Sequence, residues 1–329
     1  MQILHYRHRQ LLTEQGEVLP PLAARSSAIT IGAFDGVHLG HRHLLGRLLG
    51  RAKSEGLRSV VITFEPHPRT IVAKPESKPL RLLSTPEEKI ALLSTLEIDT
   101  LIVVEFTKAF SELSPEAFVE EILLREFGLS AMVIGYDHGF GKDRKGTMQT
   151  LLQLSQQHGF TMEVVEEFSL DGRHISSSQI RALVAAGQLS EANLLLGSPY
   201  RLTGKVVHGE RRGRLIGFPT ANLEISHPIK LIPHIGVYAA DVSLATGRYR
   251  AMVNIGYRPT VSNLPRLQIE AHILNFSGDL YGATLTLELL QRLRDEQKFP
   301  SLEALKAQLE EDKRLIEAVP SFAATVMMS

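Results

Sequence analysis

The chain has 329 residues, with 36 Lys and Arg against 36 Asp and Glu, and no cysteine. That length favours two domains, each with its own core, and the zero net charge speaks against a nucleic-acid or membrane-surface partner. Without thiols, disulfides and thiolate metal sites are excluded; with no apolar run of membrane length and no signal-peptide core, a cytoplasmic location is expected.

In chain order, residues Met1 to Arg25 read as an edge strand and an irregular lead-in that ends around Pro20-Pro21. Ile29 to Ile31 predicts a short buried strand. Gly32, Phe34, Asp35 and Gly36 then form a tight turn, and Leu44, Leu45, Leu48 and Leu49 recur at helical spacing from a helix start near His38. A strand, a Gly-rich turn and a helix N-terminus aim unpaired N–H groups at an anion. His38 and His41, three residues apart, share the face of that first turn. The same pattern also fits a plain tight connection. Its HxGH order is what resembles the nucleotidyltransferase superfamily, whose members attack the α-phosphate of a nucleoside triphosphate.

Arg58 to Phe64 predicts a second buried strand, closed by Glu65-Pro66-His67-Pro68. With the first strand and its helix it makes a βαβ unit of a parallel sheet, whose carboxyl ends line a ligand crevice. Ser84-Thr85-Pro86-Glu87-Glu88 reads as a capped helix start. Leu101 to Val104, Ala131 to Ile134 and Met162 to Val165 are further strands, and Ser114-Pro115-Glu116 opens a helix stopped by Gly128. The loop from Gly135 to Gly146 has the glycines, Asp and basic residues of a second ligand loop. Ser176, Ser177, Ser178 and Arg181 combine hydroxyls, helix N–H groups and a guanidinium suited to phosphates.

After Gly187 the pattern changes to short alternating strands: Tyr200 to Val207, Val237 to Ser243, Arg248 to Ile255, Leu267 to Leu274 and Ala283 to Leu290. They suggest a small antiparallel barrel or sandwich, closed by a helix from Ser301 to about Ala318. Glu191 to Pro199 reads as a helix tail and linker, so the domains are set at residues 1–190 and 191–329. Within the second, Gly209 to Asn222 is the densest motif. Its glycines and arginines suit a phosphate-covering loop, and the Thr220 hydroxyl and Asn222 carbonyl are oxygen ligands of the kind Mg²⁺ accepts.

Almost the whole chain resembles the bacterial bifunctional riboflavin kinase and FMN adenylyltransferase family, also called FAD synthetase. The resemblance rests on GxFDGxHxGH (Gly32–His41), FxPHP (Phe64–Pro68), the Gly135–Gly141 loop and Ser176–Arg181. In the second half it rests on Gly213-Arg214 with Gly217–Asn222, Gly236–Tyr238, Asn254–Thr260, Glu270-x-His272, Asp279–Gly282 and Leu293–Phe299. It implies an α/β nucleotidyltransferase domain, Rossmann-like, followed by a small antiparallel β-barrel riboflavin kinase domain with a C-terminal helix.

The resemblance further implies that riboflavin and ATP give FMN, and that FMN and ATP give FAD with release of pyrophosphate. His38 and His41 would act on the ATP phosphates, above the turn formed by Gly32, Phe34, Asp35 and Gly36, while Ser177, Ser178 and Arg181 hold the β- and γ-phosphates. Phe64, Asp137 and Phe140 would border the flavin, although Gly139 in the Gly135–Gly141 loop stands where many relatives carry Arg or another larger residue. In the kinase domain, Thr220 and Asn222 would bind Mg²⁺, Gly209, Arg214 and Gly217 would cover the phosphates, Glu270 would be the catalytic carboxylate, and Arg294 would lie near the flavin. Riboflavin, FMN and ATP are the expected partners, without nucleic acid or membrane; any homo-oligomer is expected to be weak. Two alternatives stay open at this level: a single-activity nucleotidyltransferase with a flavin-binding regulatory domain, and a flavin binder without turnover.

Overall fold

The computed structural model describes residues 1–74, 76–136, 141, 146–209, 213, 216–258 and 266–322. Two compact units emerge, Met1–Leu80 with Lys89–Ile175, and Arg81–Glu88 with Ser176–Ser329.

The first unit opens with β1 (Gln2–Arg7), β2 (Gln10–Thr13) and β3 (Val18–Leu19), followed by β4 (Ser27–Ile31), α1 (Leu39–Glu55), β5 (Arg58–Glu65) and α2 (Pro68–Ile71). Next come α3 (Pro86–Leu93), in which the boundary between the units falls after Glu88, then β6 (Thr100–Glu105) and α4 (Lys108–Ser111). α5 (Pro115–Ala117) runs on as a π-helical stretch, Phe118–Leu124, before β7 (Leu129–Gly135), α6 (Met148–His158), β8 (Thr161–Val165) and the small hairpin of β9 (Ser169–Leu170) and β10 (Arg173–His174).

One sheet of order β3-β2-β1-β6-β5-β4-β7-β8 organises this unit. Every pairing from β1 to β8 is parallel, and β2 and β3 add antiparallel at the edge. The N-terminal residues thus differ from expectation: β1 is an interior strand, parallel to β6 from Gln2↔Thr100 to Tyr6↔Val104. Leu4 and Tyr6 are buried, and the polar His5 and Arg7 alternating with them gave the segment the look of an edge strand. Apolar residues leave the sheet on both faces. Ile29, Ile31, Val60 and Ile62 join one core, whereas Ala28, Val61, Leu45 and Leu48 join the other. Burial on both faces accounts for the nearly uncharged strands.

From β4 the chain moves through β5 to β6 on one side, then returns to place β7 and β8 on the other. The order of strands therefore reverses at β4, and the turn after β4 opens at the switch point, where crevices form in open α/β sheets.

The second unit contains α7 (Ser177–Ala185), α8 (Leu189–Leu196), β11 (Tyr200–Val207), β12 (Ala221–Glu224), β13 (Gly236–Leu244), β14 (Gly247–Arg258), β15 (Arg266–Ile273), β16 (Thr284–Arg294) and α9 (Leu302–Ala318). The strands close into a barrel of order β11-β12-β15-β14-β13-β16, all antiparallel, which decides for the barrel over the sandwich. β12, at four residues, was too short to stand out in the sequence.

Residues Glu191 to Pro199, expected to lead into a linker, mostly belong to α8. Its Asn193 is buried and clamps the helix to the barrel. The amide nitrogen donates to the Leu289 and Leu290 carbonyls (2.9 and 3.1 Å), and the amide oxygen accepts from Tyr200 N–H (2.8 Å).

A second clamp comes from Arg81–Glu88. The expected helix start is capped by Thr85, which forms a capping box with Glu88: Glu88 N–H donates to Thr85 Oγ1 (3.2 Å) and Thr85 N–H to Glu88 Oε2 (3.0 Å). The same carboxylate accepts from Thr203 N–H at 2.8 Å and pairs with Lys230 Nζ at 2.6 Å, both side chains being almost fully buried. Lys230→Met would leave this carboxylate without its counter-ion, so it should destabilise the second unit by about 3–5 kcal/mol, read as a lower urea midpoint. Adding Glu88→Gln to that variant should recover part of the loss.

Candidate active sites

The first site begins where the β4 ladder stops. Gly32 N–H donates to the Ile62 carbonyl at 3.0 Å, and the chain then turns. Phe34 and Val37 take φ of 48° and 43°, left-handed values uncommon outside glycine, and Gly36 takes 81°. The Phe34 ring folds back over Gly32, where any Cβ would stand 3.0 Å from it. Val37 N–H donates to the Phe34 carbonyl at 3.2 Å, which closes the turn.

His38 then caps α1. Its Nδ1 accepts from His41 N–H at 3.3 Å, so in this geometry the ring proton sits on Nε2. The His38 and His41 rings stack with centroids 3.6 Å apart and planes 16° apart, and Phe34 meets His41 edge-on at 5.3 Å. Asp35 and His38 are buried, 4% and 5% exposed. The turn thus brings Gly32, Phe34, Asp35, Gly36, His38 and His41 together at a helix N-terminus whose first turn holds no acidic residue. Such an end attracts anions.

Phe64 leaves β5 into a cluster with Phe106 (5.3 Å) and Phe110 (6.1 Å), neither of which the sequence had marked. Asp137 and Phe140 lie outside the described residues, as does Arg214. Ser177 and Ser178 open α7, which is capped by Ser176 through Gln179 N–H (3.3 Å). Arg181 Nε donates to the Arg81 carbonyl at 2.8 Å. All three belong to the second unit, whereas the histidines belong to the first.

The barrel builds its site from side chains on neighbouring strands. Glu270 of β15 stands opposite Asn222 on β12 and opposite Asn254 on β14, so the three form one row across the sheet. They line a cavity of about 470 Å³ with Thr220, His272, Arg294 and the apolar Phe218, Leu305 and Leu309. A second cavity of about 480 Å³ is lined by Gly209, His208, Thr220, Asp279 and Tyr281, the last stacked on His208 at 3.6 Å. Thr220 lines both.

Close approach explains the glycines of this loop. A Cβ on Gly209 would meet the Asn222 amide at 2.1 Å, and one on Gly213 the Phe218 carbonyl at 2.1 Å, while Gly217 has a φ of 87°. His272 Nδ1 donates to the Pro219 carbonyl at 2.8 Å and so fastens the residue before Thr220. Burial pushes the His272 pKa down, against a raising effect of the Pro219 carbonyl. Arg294 is held twice by the fully buried Asp312 of α9 (Nε–Oδ1 2.9 Å, the second guanidinium nitrogen to Oδ2 2.7 Å), and Gln308 donates to the same carboxylate at 2.9 Å. His272 and Asp312 had been given no role from the sequence. Asp312 could have been found as a carboxylate on the stripe Leu305, Leu309 and Ile316 of the last helix.

Among the described residues no helix is long and apolar enough to cross a membrane. Residues 21–179 match a family model described as FAD synthetase, and residues 196–319 one described as riboflavin kinase. A bifunctional riboflavin kinase/FMN adenylyltransferase of Pseudomonas fluorescens is 38% identical over 288 residues, 88% of this chain and 91% of that protein. One from Bacillus subtilis (strain 168) is 36% identical over 328 residues, 98% of this chain and 99% of its own length. A crystal structure described as a macrolide-efflux protein from Streptococcus pneumoniae aligns with a TM-score of 0.81 at 29% identity, over 92% of this chain and 98% of that one. With both halves matched in order and relatives aligned over nearly their full length, the chain belongs to the bifunctional riboflavin kinase/FMN adenylyltransferase family.

Proposed function

We infer that the chain runs both reactions of its family, with adenylyl transfer in residues 1–190 and riboflavin phosphorylation in residues 191–329. The observation that carries the kinase assignment is Thr220, shared by two cavities of unlike walls. The cavity with Phe218, Leu305 and Leu309 suits a flat isoalloxazine ring and contains Glu270, while the one with Gly209, His208 and Tyr281 suits a nucleotide. The γ-phosphate and the riboflavin 5′-hydroxyl would meet beside Thr220. There the hydroxyl oxygen attacks phosphorus, its proton passes to the Glu270 carboxylate, and ADP leaves. The match of residues 196–319 to riboflavin kinase favours this over a single-activity enzyme with a regulatory domain.

Mg²⁺ fits the donors at the junction. The Thr220 hydroxyl and Asn222 amide oxygen are hard ligands, and so few protein ligands leave positions for phosphate and water. Mg²⁺ bound there would neutralise charge on the transferring phosphoryl group. Gly209, Arg214 and Gly217 would cover the phosphates, and Arg294, fixed by Asp312, would border the flavin.

In the first unit, a phosphate oxygen of FMN attacks the α-phosphorus of ATP and pyrophosphate leaves. A phosphate monoester is already largely ionised at neutral pH, so this step needs charge stabilisation rather than a base. His38 and His41 supply it with the helix N-terminus above the Gly32–Gly36 turn. Ser177, Ser178 and Arg181 would hold the outer phosphates, and Phe64, Asp137 and Phe140 would border the flavin. The reading keeps a cytoplasmic enzyme whose partners are riboflavin, FMN and ATP.

Assaying the two steps separately tests the division. Glu270→Gln should lower FMN formation by about 10²–10⁴ and leave FAD formation from supplied FMN little changed. His38→Ala with His41→Ala should lower FAD formation by about 10²–10³ and spare the kinase. Survival of FMN formation in Glu270→Gln and Asn222→Ala would remove the kinase assignment.

The direction of the His272 shift gives a pH prediction. Its folded pKa lies below the ordinary 6.5, so near and below that pH the unfolded chain binds more protons. The resulting stability is complete above 6.5 and is lost as the pH falls towards the folded value. The melting temperature should therefore drop more steeply between about pH 7 and 5.5 in the parent than in His272→Gln. His5, lowered in the same direction by burial, is common to both proteins and cancels.

A further inference from the structure

We propose that Lys89 is a positioning residue for adenylyl transfer: its buried ammonium ties together the ends of β4 and β5 and so fixes the turn that presents His38 and His41. The proposal rests on the assignment of adenylyl transfer to that turn.

Lys89 is 7% exposed, in a helix turn whose sequence, Glu87-Glu88-Lys89, looks like a solvated charge run. Its Nζ contacts the Thr63 hydroxyl at 3.0 Å, the Phe64 carbonyl at 3.3 Å and the Ala33 carbonyl at 3.4 Å. An ammonium has three N–H donors, and here three oxygens receive them. A lysine so committed has no donor to spare for a phosphate, which is why a positioning role fits and a catalytic one does not.

The location of those oxygens matters. The register of β4 with β5 runs from Ser27↔Arg58 to Ile31↔Ile62, and Gly32 N–H to the Ile62 carbonyl is its last bond. Beyond it, β5 continues to pair with β6 through Thr63↔Val103 and Phe64↔Val104, while β4 departs into the turn. On the β4 side, carbonyls at this point have lost their ladder partners. Lys89 replaces them, and Thr63 Oγ1 adds a bond to the Ala33 carbonyl at 3.2 Å.

Ala33 is the residue before Phe34, whose ring touches His41 and whose left-handed backbone starts the turn. The contacts of Lys89 are to neutral oxygens, and burial pushes its pKa down although the charges of Glu65 and Asp35 oppose this. Burying an ammonium is unfavourable where no close counter-ion offsets it. A methionine would fill that space without the cost, so the charge and its three donors are what the position requires.

The experiment uses the full chain and follows FAD formation from FMN and ATP, with riboflavin phosphorylation by the same molecules as the folding control. Lys89→Met should lower kcat for FAD formation by about 10- to 100-fold, the scale on which a displaced reacting geometry acts, with a much smaller change in the KM for FMN. Riboflavin phosphorylation should stay at the parent level. Thr63→Val, which keeps the charge and removes one acceptor, should give a smaller loss in the same kcat.

An unchanged kcat in Lys89→Met overturns the proposal, as does a loss seen only in melting temperature and not in kcat per folded molecule. If Lys89→Met also loses the kinase and fails to fold, Thr63→Val decides, and an unchanged kcat there overturns the proposal. His38→Ala separates this failure from that of the parent reading. Full FAD formation in His38→Ala removes the histidine turn as the site, whereas its loss beside a normal Lys89→Met removes Lys89 alone.

Discussion

A β-ladder can serve a phosphate only where it stops. Main-chain N–H groups within a sheet are committed to neighbouring strands, so a site made of backbone needs a place at which pairing ends without leaving buried polar groups unpartnered. In the first unit that place is the reversal of strand order at β4. Gly32 makes the final bond to β5, Phe34 and Gly36 turn the chain through left-handed conformations, and His38 caps the helix that follows. Each carbonyl or N–H released from the ladder has to be met by something else, and the side chains that meet them are the ones around which the turn is built.

The barrel reaches the same chemistry under the opposite constraint. Closure pairs all six strands in a ring, which leaves no switch point and no free strand end inside the sheet. The polar groups that line its cavity therefore stand on the strands as a cross-strand row, Asn222, Glu270 and Asn254, held at the spacing of antiparallel neighbours. Ahead of β12, Gly209 and Gly213 have no side chain because Asn222 and the Phe218 carbonyl already occupy the space. The apolar wall is added by α9, which is fastened to β16 by the pair of the buried Asp312 with the half-buried Arg294. Removing one partner of such a pair would leave a charge in a dry place, so its role in shaping the cavity and its role in stability cannot be separated by that change alone.

How much of this was legible in the sequence depended on whether a residue acts through its neighbours in the chain or across the fold. The βαβ unit, the helix start at His38 and the capped helix start at Ser84–Glu88 are local patterns, and each stands where spacing placed it. The interior position of β1 was hidden because its partner β6 lies almost a hundred residues away and its alternation of Leu4 and Tyr6 with His5 and Arg7 reads as a half-exposed edge. Lys89 and Asp312 were hidden for a related reason: a charged side chain in a helix reads as solvated. Both nonetheless sit at apolar spacing, Lys89 with Leu92 and Leu93, and Asp312 with Leu309 and Ile316, all of the apolar members being buried or lining the cavity. Glu270 had the reverse problem. Only the family resemblance marked it, since an alternating strand says nothing about which polar residue faces a ligand.

The unlike makeup of the two sites follows from the nucleophiles they would serve. A ribityl hydroxyl is a poor nucleophile while it holds its proton, so a kinase site gains from a carboxylate placed beside the alcohol, and Glu270 is a carboxylate on the cavity wall. The phosphate of FMN carries its charge already, and a base there would have nothing to remove. What limits that step is the approach of one anion to another, which calls for donors fixed in advance. A helix end, a stacked pair of histidines and a turn whose first carbonyl is tied down by a buried ammonium would answer that need. On the proposed assignment, acid on the barrel and imidazole at the switch point would each match the charge of the acceptor they serve.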